Sequence, residues 1–255
     1  MIQDARIISY FTQKEDGNMS FSRDTSPENV QSRFKAVARK LGADYRAMVC
    51  GHQTHGVQVG LVTEEHKGSG ISKPLVFDET DALITDVPGI TLCTIHADCI
   101  PVQFWDGEHT AIGAAHSGWK GTLGEISACV VGKMSDTFGT RPEALQAAIG
   151  PGICQDCFEI SADVFEAFYA AFPELCDRDT FVGKGAFPGK WQLNLKAFVK
   201  ESLIRSGVLP EHITVSEDCT CCMEEKYFSH RRDGNRPVLK GAMSSIIAIK
   251  KQESL

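Results

Sequence analysis

Four short apolar runs follow one another between Ala82 and His116, and only turns separate them. Each has the length of a strand rather than that of a helix: 82–85, 90–95, 101–105 and 111–115. A regular βαβ winding would place a helix after every strand, so this succession does not fit it. The pattern favours mixed β-sheets that are covered by helices.

Amphipathic segments elsewhere in the chain predict those helices. Apolar residues recur in them at every third or fourth position, and each segment ends at a glycine or a proline. The segments run from Ser26 to Gly42, from about Gly124 to Phe138, from Ser161 to Pro173 and from Asn194 to Gly207.

Further strands are predicted at 7–11, 45–50 and 57–63. The final apolar run, 242–249, has too little polarity for an exposed strand, so we expect it near the centre of a sheet. No change in composition marks a linker, and 255 residues with 42% hydrophobic residues suffice for a substantial core. We therefore expect one α/β domain over residues 1–255, a layered sandwich of mixed β-sheets covered by helices.

An excess of acidic residues limits the partners that this chain can bind. It has 33 Asp and Glu against 26 Lys and Arg, which gives a formal net charge of −7. Nucleic acids and anionic membranes bind basic surfaces, so we expect neither as a partner. The first residues lack a signal-peptide pattern and no apolar run approaches bilayer length, which predicts a cytoplasmic protein. The sequence does not predict the oligomeric state.

Three residues that are far apart in the chain form a possible metal site: His55, Cys99 and His116. Each lies where an apolar run gives way to a turn of small residues, so little bulk stands between the backbone and a ligand. Two imidazoles and one sulfur are a typical set of three zinc ligands, and such a site keeps one position open for water or substrate. His52 and His96 lie three residues from His55 and Cys99 and compete for the same role. Spacing alone also leaves open that these residues only pack in the core.

The chain has ten cysteines, and several of them form a second cluster along the sequence. Cys154 and Cys157 are three residues apart, and Cys219, Cys221 and Cys222 follow later. Two such turns suit a metal or redox site. We favour core thiols instead, with Cys221 and Cys222 as local additions. Replacing these two is then expected to leave zinc content and activity intact.

A series of motifs resembles the purine nucleoside phosphorylase family with a laccase-type domain, which is also called polyphenol oxidase or peptidoglycan editing factor. The resemblance extends from about Arg33 to Ile249, and the order of the motifs is highly specific. The motifs are Gln53–Gly56, Asp81–Thr85, Ala97–Val102, Ala114–Thr122, Ile149–Ile153, Cys219–Thr220 and Phe228–Gly234.

The resemblance implies that His55, Cys99 and His116 are the metal ligands, with Zn²⁺ as the cofactor, and that His52 and His96 are not. It implies phosphorolysis of adenosine, inosine or 5′-methylthioadenosine, and deamination of adenosine. Purine nucleosides and phosphate are the expected small-molecule partners. Zinc lowers the pKa of a bound water to about 7, which suits the attack on the purine ring during deamination.

Other residues then become candidates for substrate binding and proton transfer. Phosphate requires cations, for which the candidates are Arg33, Lys120 and Arg232; Arg33 matches the arginine of the family's early helix. Trp119 is a candidate for stacking on the base, although it also suits a gap in the core. Asp98 and His96, close to Cys99, are the candidate proton donors to the leaving purine. Asp98 is equally suited to orienting a ligand histidine.

Three alternatives remain open at this point. Cys99 and a histidine would also form the thiolate and base of a metal-free hydrolase, for example an amidase that edits peptidoglycan precursors. Zinc as a structural element of a partner-binding module would require a fourth protein ligand. A multicopper oxidase is the least favoured, because the eight histidines include no His-x-His pair.

Overall fold

The computed structural model describes residues 1–234, 236 and 240–251. The strands are β1 (Ile7–Phe11), β2 (Met48–Cys50), β3 (Val59–Leu61), β4 (Ala82–Thr85), β5 (Thr91–His96), β6 (Ile100–Asp106), β7 (Ala111–Ser117), β8 (Gln146–Ile149), β9 (Glu159–Ser161), β10 (Val182–Lys184), β11 (Lys190–Leu193), β12 (Ile213–Val215) and β13 (Met243–Ile249). The helices are α1 (Pro27–Leu41), α2 (Trp119–Leu123), α3 (Ile126–Phe138), α4 (Ala162–Ala171), α5 (Pro173–Cys176), α6 (Leu195–Arg205) and α7 (His230–Asp233).

The four apolar runs between Ala82 and His116 are β4 to β7, and they divide between two sheets. A four-stranded sheet has the order β1-β13-β5-β2, and a six-stranded sheet has the order β12-β8-β6-β7-β4-β3. Both sheets are mixed: in the first, β2 runs parallel to β5 and β13 is antiparallel to both of its neighbours, and in the second, β3 runs parallel to β4 and β4 is antiparallel to β7. The prediction that the final apolar run lies inside a sheet is therefore confirmed. So is the predicted fold class of mixed sheets covered by helices.

The two large sheets pack face to face, and the alternation of side chains along each strand fills the space between them. Leu92 of β5 and Ile247 of β13 meet Leu83 of β4 and Ile112 of β7 in one buried cluster. The next residue along β5, Cys93, points to the opposite face because successive strand residues alternate. This shared core fixes the two sheets against each other.

Helices cover the outer faces of both sheets. Val30, Phe34 and Val37 of α1 are buried against the four-stranded sheet, and burial of each such side chain contributes about 1.5–3 kcal/mol. On the other side, Val130 and Met134 of α3 pack on β7, where Gly113 has no side chain to hold the helix away. A small antiparallel sheet, β10-β11-β9, adjoins this outer layer.

Most predicted elements lie where the sequence indicated, with two differences. The segment predicted as a strand from 45 to 50 begins with a turn of 3-10 helix at Tyr45–Ala47, because the Asp44 side chain accepts a hydrogen bond from the Arg46 amide. Only Val59–Leu61 of the segment 57–63 pairs as a strand. Among the described residues, no helix combines the length and the apolar character that a membrane crossing requires.

Candidate metal centre

The three predicted ligands meet at one edge of the core between the sheets. His116 is near the end of β7, on the same face as Ile112, and Cys99 lies in the turn that leads into β6. These two strands are neighbours, with His116 paired to Pro101. His55 reaches the same place from the loop between β2 and β3. The ring nitrogens of the two histidines and Sγ of Cys99 all lie within 4.8 Å of one another.

One carboxylate positions both histidines. Asp81, directly before β4, accepts hydrogen bonds from the backbone amides of Thr54, His55 and Gly56 at 2.8–3.0 Å. Its Oδ1 also accepts the Nδ1 hydrogen of His116 at 2.8 Å. This bond fixes the imidazole tautomer and leaves Nε2 of His116 available to a metal ion. Asp81 is the first residue of the motif Asp81–Thr85, and its place directly before an apolar strand was the available signal for this role.

Local backbone geometry is unusual at the site. His55 has φ +65° and Asp98 has φ +88°, in the left-handed region that non-glycine residues rarely adopt. Such a conformation costs on the order of 1–2 kcal/mol, and for His55 the three amide hydrogen bonds to Asp81 offset it. Gly118 permits the close approach of the ligands, because a Cβ there would lie 2.6 Å from Cδ2 of His55 and 3.2 Å from Sγ of Cys99.

The electrostatics of the cluster favour a thiolate. Burial acts to raise the pKa of the Cys99 thiol, but the neighbouring imidazoles of His116 and His55 outweigh it and lower that pKa to about 6. Burial likewise acts to lower the pKa of His116, while the Cys99 thiolate and Asp81 raise it more strongly. Thiolate sulfur and imidazole nitrogen are the donor atoms that zinc prefers, so the residues present fit this ion.

His96, a predicted proton donor, is buried beside the cluster. Its ring lies 5.1 Å from the ring of His116, and Nε2 forms a 2.7 Å hydrogen bond with the hydroxyl of Thr94. Nδ1 has no hydrogen-bond partner among the described residues. Burial, with the nearby imidazole of His116, lowers the pKa of His96 well below its ordinary value, which keeps the ring neutral.

Asp98, the other predicted donor, does not contact either ligand histidine through its carboxylate. Its Oδ1 accepts a hydrogen bond from the Thr220 hydroxyl at 2.7 Å, and its Oδ2 accepts one from the Arg231 amide at 2.6 Å. The carboxylate thus connects the turn before Cys99 to two later segments of the chain.

Two cavities open on the cluster, and His55, Cys99 and His230 line both of them. The larger, of about 510 Å³, also has polar walls from Ser20, Ser22, Arg23 and His52. The smaller, of about 270 Å³, is more apolar and is lined by Trp119, Ile153, Phe158 and Leu195, with Asp98 and Arg231 at its edge. His55 and Cys99 therefore lie at the junction of a polar and a more apolar space, and His116 lines the polar one.

The predicted substrate cations lie elsewhere. Arg33 forms an ion pair with Asp24 and donates a 3.0 Å hydrogen bond to the Asn18 carbonyl. Arg232 is paired with Asp233 and donates to the carbonyls of Thr220 and Cys221. Lys120 is exposed, with its ammonium 5.6 Å from the Trp119 ring. Neither arginine lines the cavities at the cluster, and neither does Lys120, whereas Trp119 does.

Sequence reasoning missed two other side chains that face the cavities. Arg23 lines the larger cavity and is held by a 3.0 Å hydrogen bond to the Gly241 carbonyl. His230, at the start of α7, is exposed and lines both cavities. Its position inside the motif Phe228–Gly234 was the available signal. His52 is exposed and hydrogen-bonded to Asp78 at 2.6 Å, outside the group of three ligands.

Comparison with known proteins agrees with the resemblance seen in the motifs. A family model described as multi-copper polyphenol oxidoreductase laccase matches residues 10–250. Adenosine deaminase RL5, from an unknown prokaryotic organism, is 35% identical over 199 residues, which cover 78% of this chain and 74% of that protein. Purine nucleoside phosphorylase YlmD of Bacillus subtilis is 31% identical over 254 residues, 96% of this chain and 89% of that protein. The crystal structure of the Bacillus licheniformis hypothetical protein YfiH has a TM-score of 0.89 at 31% identity and covers 96% of this chain and 93% of that one.

Proposed function

This chain belongs to the multi-copper polyphenol oxidoreductase laccase family, and from that membership we propose that it is a zinc-dependent enzyme of purine nucleosides. The proposed reactions are phosphorolysis of adenosine, inosine and 5′-methylthioadenosine, with deamination of adenosine as a second activity. The names of its relatives, adenosine deaminase and purine nucleoside phosphorylase, support this substrate class. The observation that carries the proposal is the convergence of His55, Cys99 and His116 at the junction of two cavities.

The proposed ligands fit a zinc ion with an open coordination position. They supply two imidazole nitrogens and one thiolate sulfur, and Asp81 holds both histidines in place. Zinc with three protein ligands lowers the pKa of a bound water and polarises an oxygen atom of the substrate. A closed structural site would need a fourth protein ligand, and the group found among the described residues has three members.

The two cavities suit the two ends of a nucleoside. We assign the purine base to the smaller cavity, where Trp119 and Phe158 offer aromatic surface. Ribose and phosphate then occupy the larger cavity, where Arg23 supplies a positive charge and Ser20 and Ser22 supply hydroxyl groups. Arg23 replaces Arg33 and Arg232 in this role, because the guanidinium groups of those two are engaged in ion pairs outside the cavities.

Phosphorolysis also needs a proton for the leaving purine. Both carboxylate oxygens of Asp98 already accept hydrogen bonds, which suits a positioning role. His96 lines the larger cavity and has one ring nitrogen without a partner among the described residues. We therefore assign the orientation of the Cys99 turn to Asp98 and a proton relay to His96, whose neutral ring takes up a proton on one nitrogen as it gives one to the purine from the other.

The test combines metal analysis with product analysis. The full chain is purified, its metal content is measured, and adenosine is supplied with and without phosphate. Phosphate-dependent release of adenine and ribose 1-phosphate supports phosphorolysis, and inosine supports deamination. A His55→Ala variant is expected to lose the bound zinc and both activities, whereas His52→Ala, three residues away, is expected to retain the bound zinc. Full turnover by zinc-free protein would contradict the proposal.

A specific observation also favours a second candidate, the metal-free cysteine hydrolase. The lowered pKa of Cys99 beside His116 is what a nucleophilic thiolate and its base require. In such an enzyme His55 would not be essential, and chelators would leave the activity unchanged. Retention of amidase activity on peptidoglycan fragments by His55→Ala after chelation would therefore favour this candidate.

A further inference from the structure

Four cysteines from two segments that are far apart in the sequence come together in the structure. Cys154 and Cys157 lie in the turn between β8 and β9, and Cys219 and Cys222 lie after β12. Their sulfur atoms all lie within 4.8 Å of one another. Cys221, between the last two, is not part of this group.

We propose that Cys154, Cys157, Cys219 and Cys222 form a second metal site, a closed tetrathiolate site for zinc with a structural role. Each pair has the Cys-x-x-Cys spacing that structural zinc sites use. Binding converts four thiols into four thiolates around Zn²⁺ and releases four protons to the solvent. All four positions are then filled by protein, so the site holds no substrate.

The distances between the sulfur atoms suit a common ion. Zinc–sulfur bonds of about 2.3 Å in a tetrahedron place sulfur atoms roughly 3.8 Å apart. Here Sγ of Cys222 lies 3.9 Å from Sγ of Cys154 and 3.4 Å from Sγ of Cys157. A disulfide would require about 2.05 Å, and all four cysteines are free thiols in the structure. Small movements of the side chains therefore suffice to complete the site.

This proposal replaces the sequence-based prediction of core thiols, under which Cys222 was dispensable for zinc content, because the surroundings of the sulfur atoms are those of thiolates. Sγ of Cys219 accepts hydrogen bonds from the amides of Cys154 at 3.2 Å and Cys222 at 3.5 Å. Cys222 is exposed, which a packing role in the core would not explain. The largely buried ammonium of Lys196 donates hydrogen bonds to the carbonyls of Ser216 and Asp218, next to Cys219 in the chain, and its positive charge offsets part of the net negative charge of a zinc tetrathiolate.

The site would join two segments that support the candidate metal centre. The turn at Gly152 forms a bridge with Cys219, and the next residue, Thr220, donates its hydroxyl hydrogen to Asp98. Arg231 donates from its guanidinium to the Cys157 carbonyl and from its backbone amide to Asp98. A metal ion bound to the four cysteines would thus stabilise the segments around Cys157 and Thr220, which are connected to Asp98 by these hydrogen bonds.

Metal stoichiometry tests this proposal without relying on catalysis. The full chain, purified under reducing conditions, is expected to bind zinc at the four cysteines even when His55 and His116 are both replaced by alanine. Reconstituting that double variant with Co²⁺ is expected to give the intense thiolate-to-cobalt absorption of a tetrahedral tetrathiolate site. This measurement leaves the four cysteines intact and so does not depend on the folding of a cysteine variant.

Single substitutions then identify the ligands. Cys157→Ser and Cys222→Ser are each expected to lower the zinc content by one equivalent per chain and to lower Tm, while Cys221→Ser leaves both unchanged. Equal zinc content in Cys222→Ser and wild type would overturn the proposal. So would a disulfide among these cysteines in the freshly purified, unreduced protein, or iron in place of zinc. Loss of zinc from the His55 centre alone would leave this proposal intact and contradict only the proposed function.

Discussion

The carboxylate of Asp81 accepts the Nδ1 hydrogen of His116 at 2.8 Å, and the same carboxylate holds the turn that carries His55. These two histidines come from different parts of the chain, one from a loop and one from a strand. A single buried anion therefore sets the relative position of two of the three proposed metal ligands. The consequence is that metal affinity depends on a residue that does not itself contact the metal.

Replacing Asp81 by asparagine tests this dependence. The amide cannot accept all four hydrogen bonds, so the His55 turn loosens and His116 loses the partner that fixes its tautomer. Loss of such an outer partner typically lowers metal affinity about 10–100-fold. Zinc affinity is measured by competition with a chelator. Asp86→Asn is the control, an exposed carboxylate directly after the same strand, β4. Equal zinc affinity in Asp81→Asn and wild type would show that the turn holds without this anion.

Gly118→Ala tests the close packing around the ligands. Gly118 has φ −74°, which alanine adopts freely, so the expected effect is steric rather than a backbone effect. The new Cβ would lie 2.6 Å from Cδ2 of His55, a distance that requires the ring to move. We expect zinc to be lost or bound at least tenfold more weakly, on the order of 1.4 kcal/mol or more, with a small change in Tm.

Gly56→Ala provides the matched control for this substitution. It lies in the same site, but its Cβ would be 3.6 Å from its nearest neighbours, Asp81 and Thr54, at ordinary contact distance. Zinc affinity in this variant is expected to match that of the wild type. If the two alanine variants bind zinc equally well, the close approach at Gly118 does not matter for the site.

The sequence predicted much of the fold because the spacing of apolar residues and the residues that begin and end a helix are local signals. The helix from Ser26 to Gly42 is an example: Val30, Phe34 and Val37 share one face, and Gly42 has the left-handed conformation of a helix end. What the sequence could not predict is which sheet each strand joins. β5 lies between β4 and β6 in the chain but pairs in the other sheet, with β13 and β2, because long-range packing decides the partner.

For the candidate site, the sequence predicted the three proposed metal ligands, but it did not predict which charged side chains line the cavities beside them. The three proposed ligands are within reach of one another, as the motifs implied. The positive charge of Arg33 did not reveal its position, because its ion-pair partner Asp24 is brought to it only by the fold. Arg23 lines the cavity but lies outside the motifs that resemble the family.

The buried carboxylate of Asp106 is expected to make the free energy of unfolding depend on pH in the acid range. This buried carboxylate, at the end of β6, accepts hydrogen bonds from the amides of Glu108 and His109 and from the His109 ring at 2.8–3.1 Å. Burial acts to raise the pKa of Asp106, but the hydroxyl of Thr140 and these hydrogen bonds outweigh it, and the pKa lies below its ordinary value. The folded protein therefore binds this proton less readily than the unfolded chain, whose carboxyl has a pKa of about 3.9. The stabilisation is fully present above that pH and is lost as the pH falls through the folded value.

Asp106→Asn should accordingly lower the free energy of unfolding by about 1–3 kcal/mol at neutral pH. The difference from wild type should shrink as the pH falls below about 4, because the wild-type carboxyl then also becomes neutral. Urea unfolding at several pH values measures both quantities. A difference that stays constant down to low pH would mean that the charge of Asp106 does not contribute.

Substitutions of Asp98 and Thr220 distinguish two roles for Asp98, positioning of the Cys99 turn and proton transfer. Thr220→Val removes only the hydroxyl that donates to Oδ1 of Asp98 and keeps the shape of the side chain. If Asp98 acts by orienting the turn before Cys99, both Thr220→Val and Asp98→Asn should lower kcat/KM for adenosine. The expected fall is about tenfold, which corresponds to the loss of one hydrogen bond. They should also leave the pH profile of kcat unchanged in shape. If Asp98 instead donates the proton, Asp98→Asn should lower kcat about 10²–10⁴-fold and remove one limb of the pH profile, while Thr220→Val stays near wild type. Because the carboxylate also accepts the Arg231 amide at 2.6 Å, we expect the first outcome.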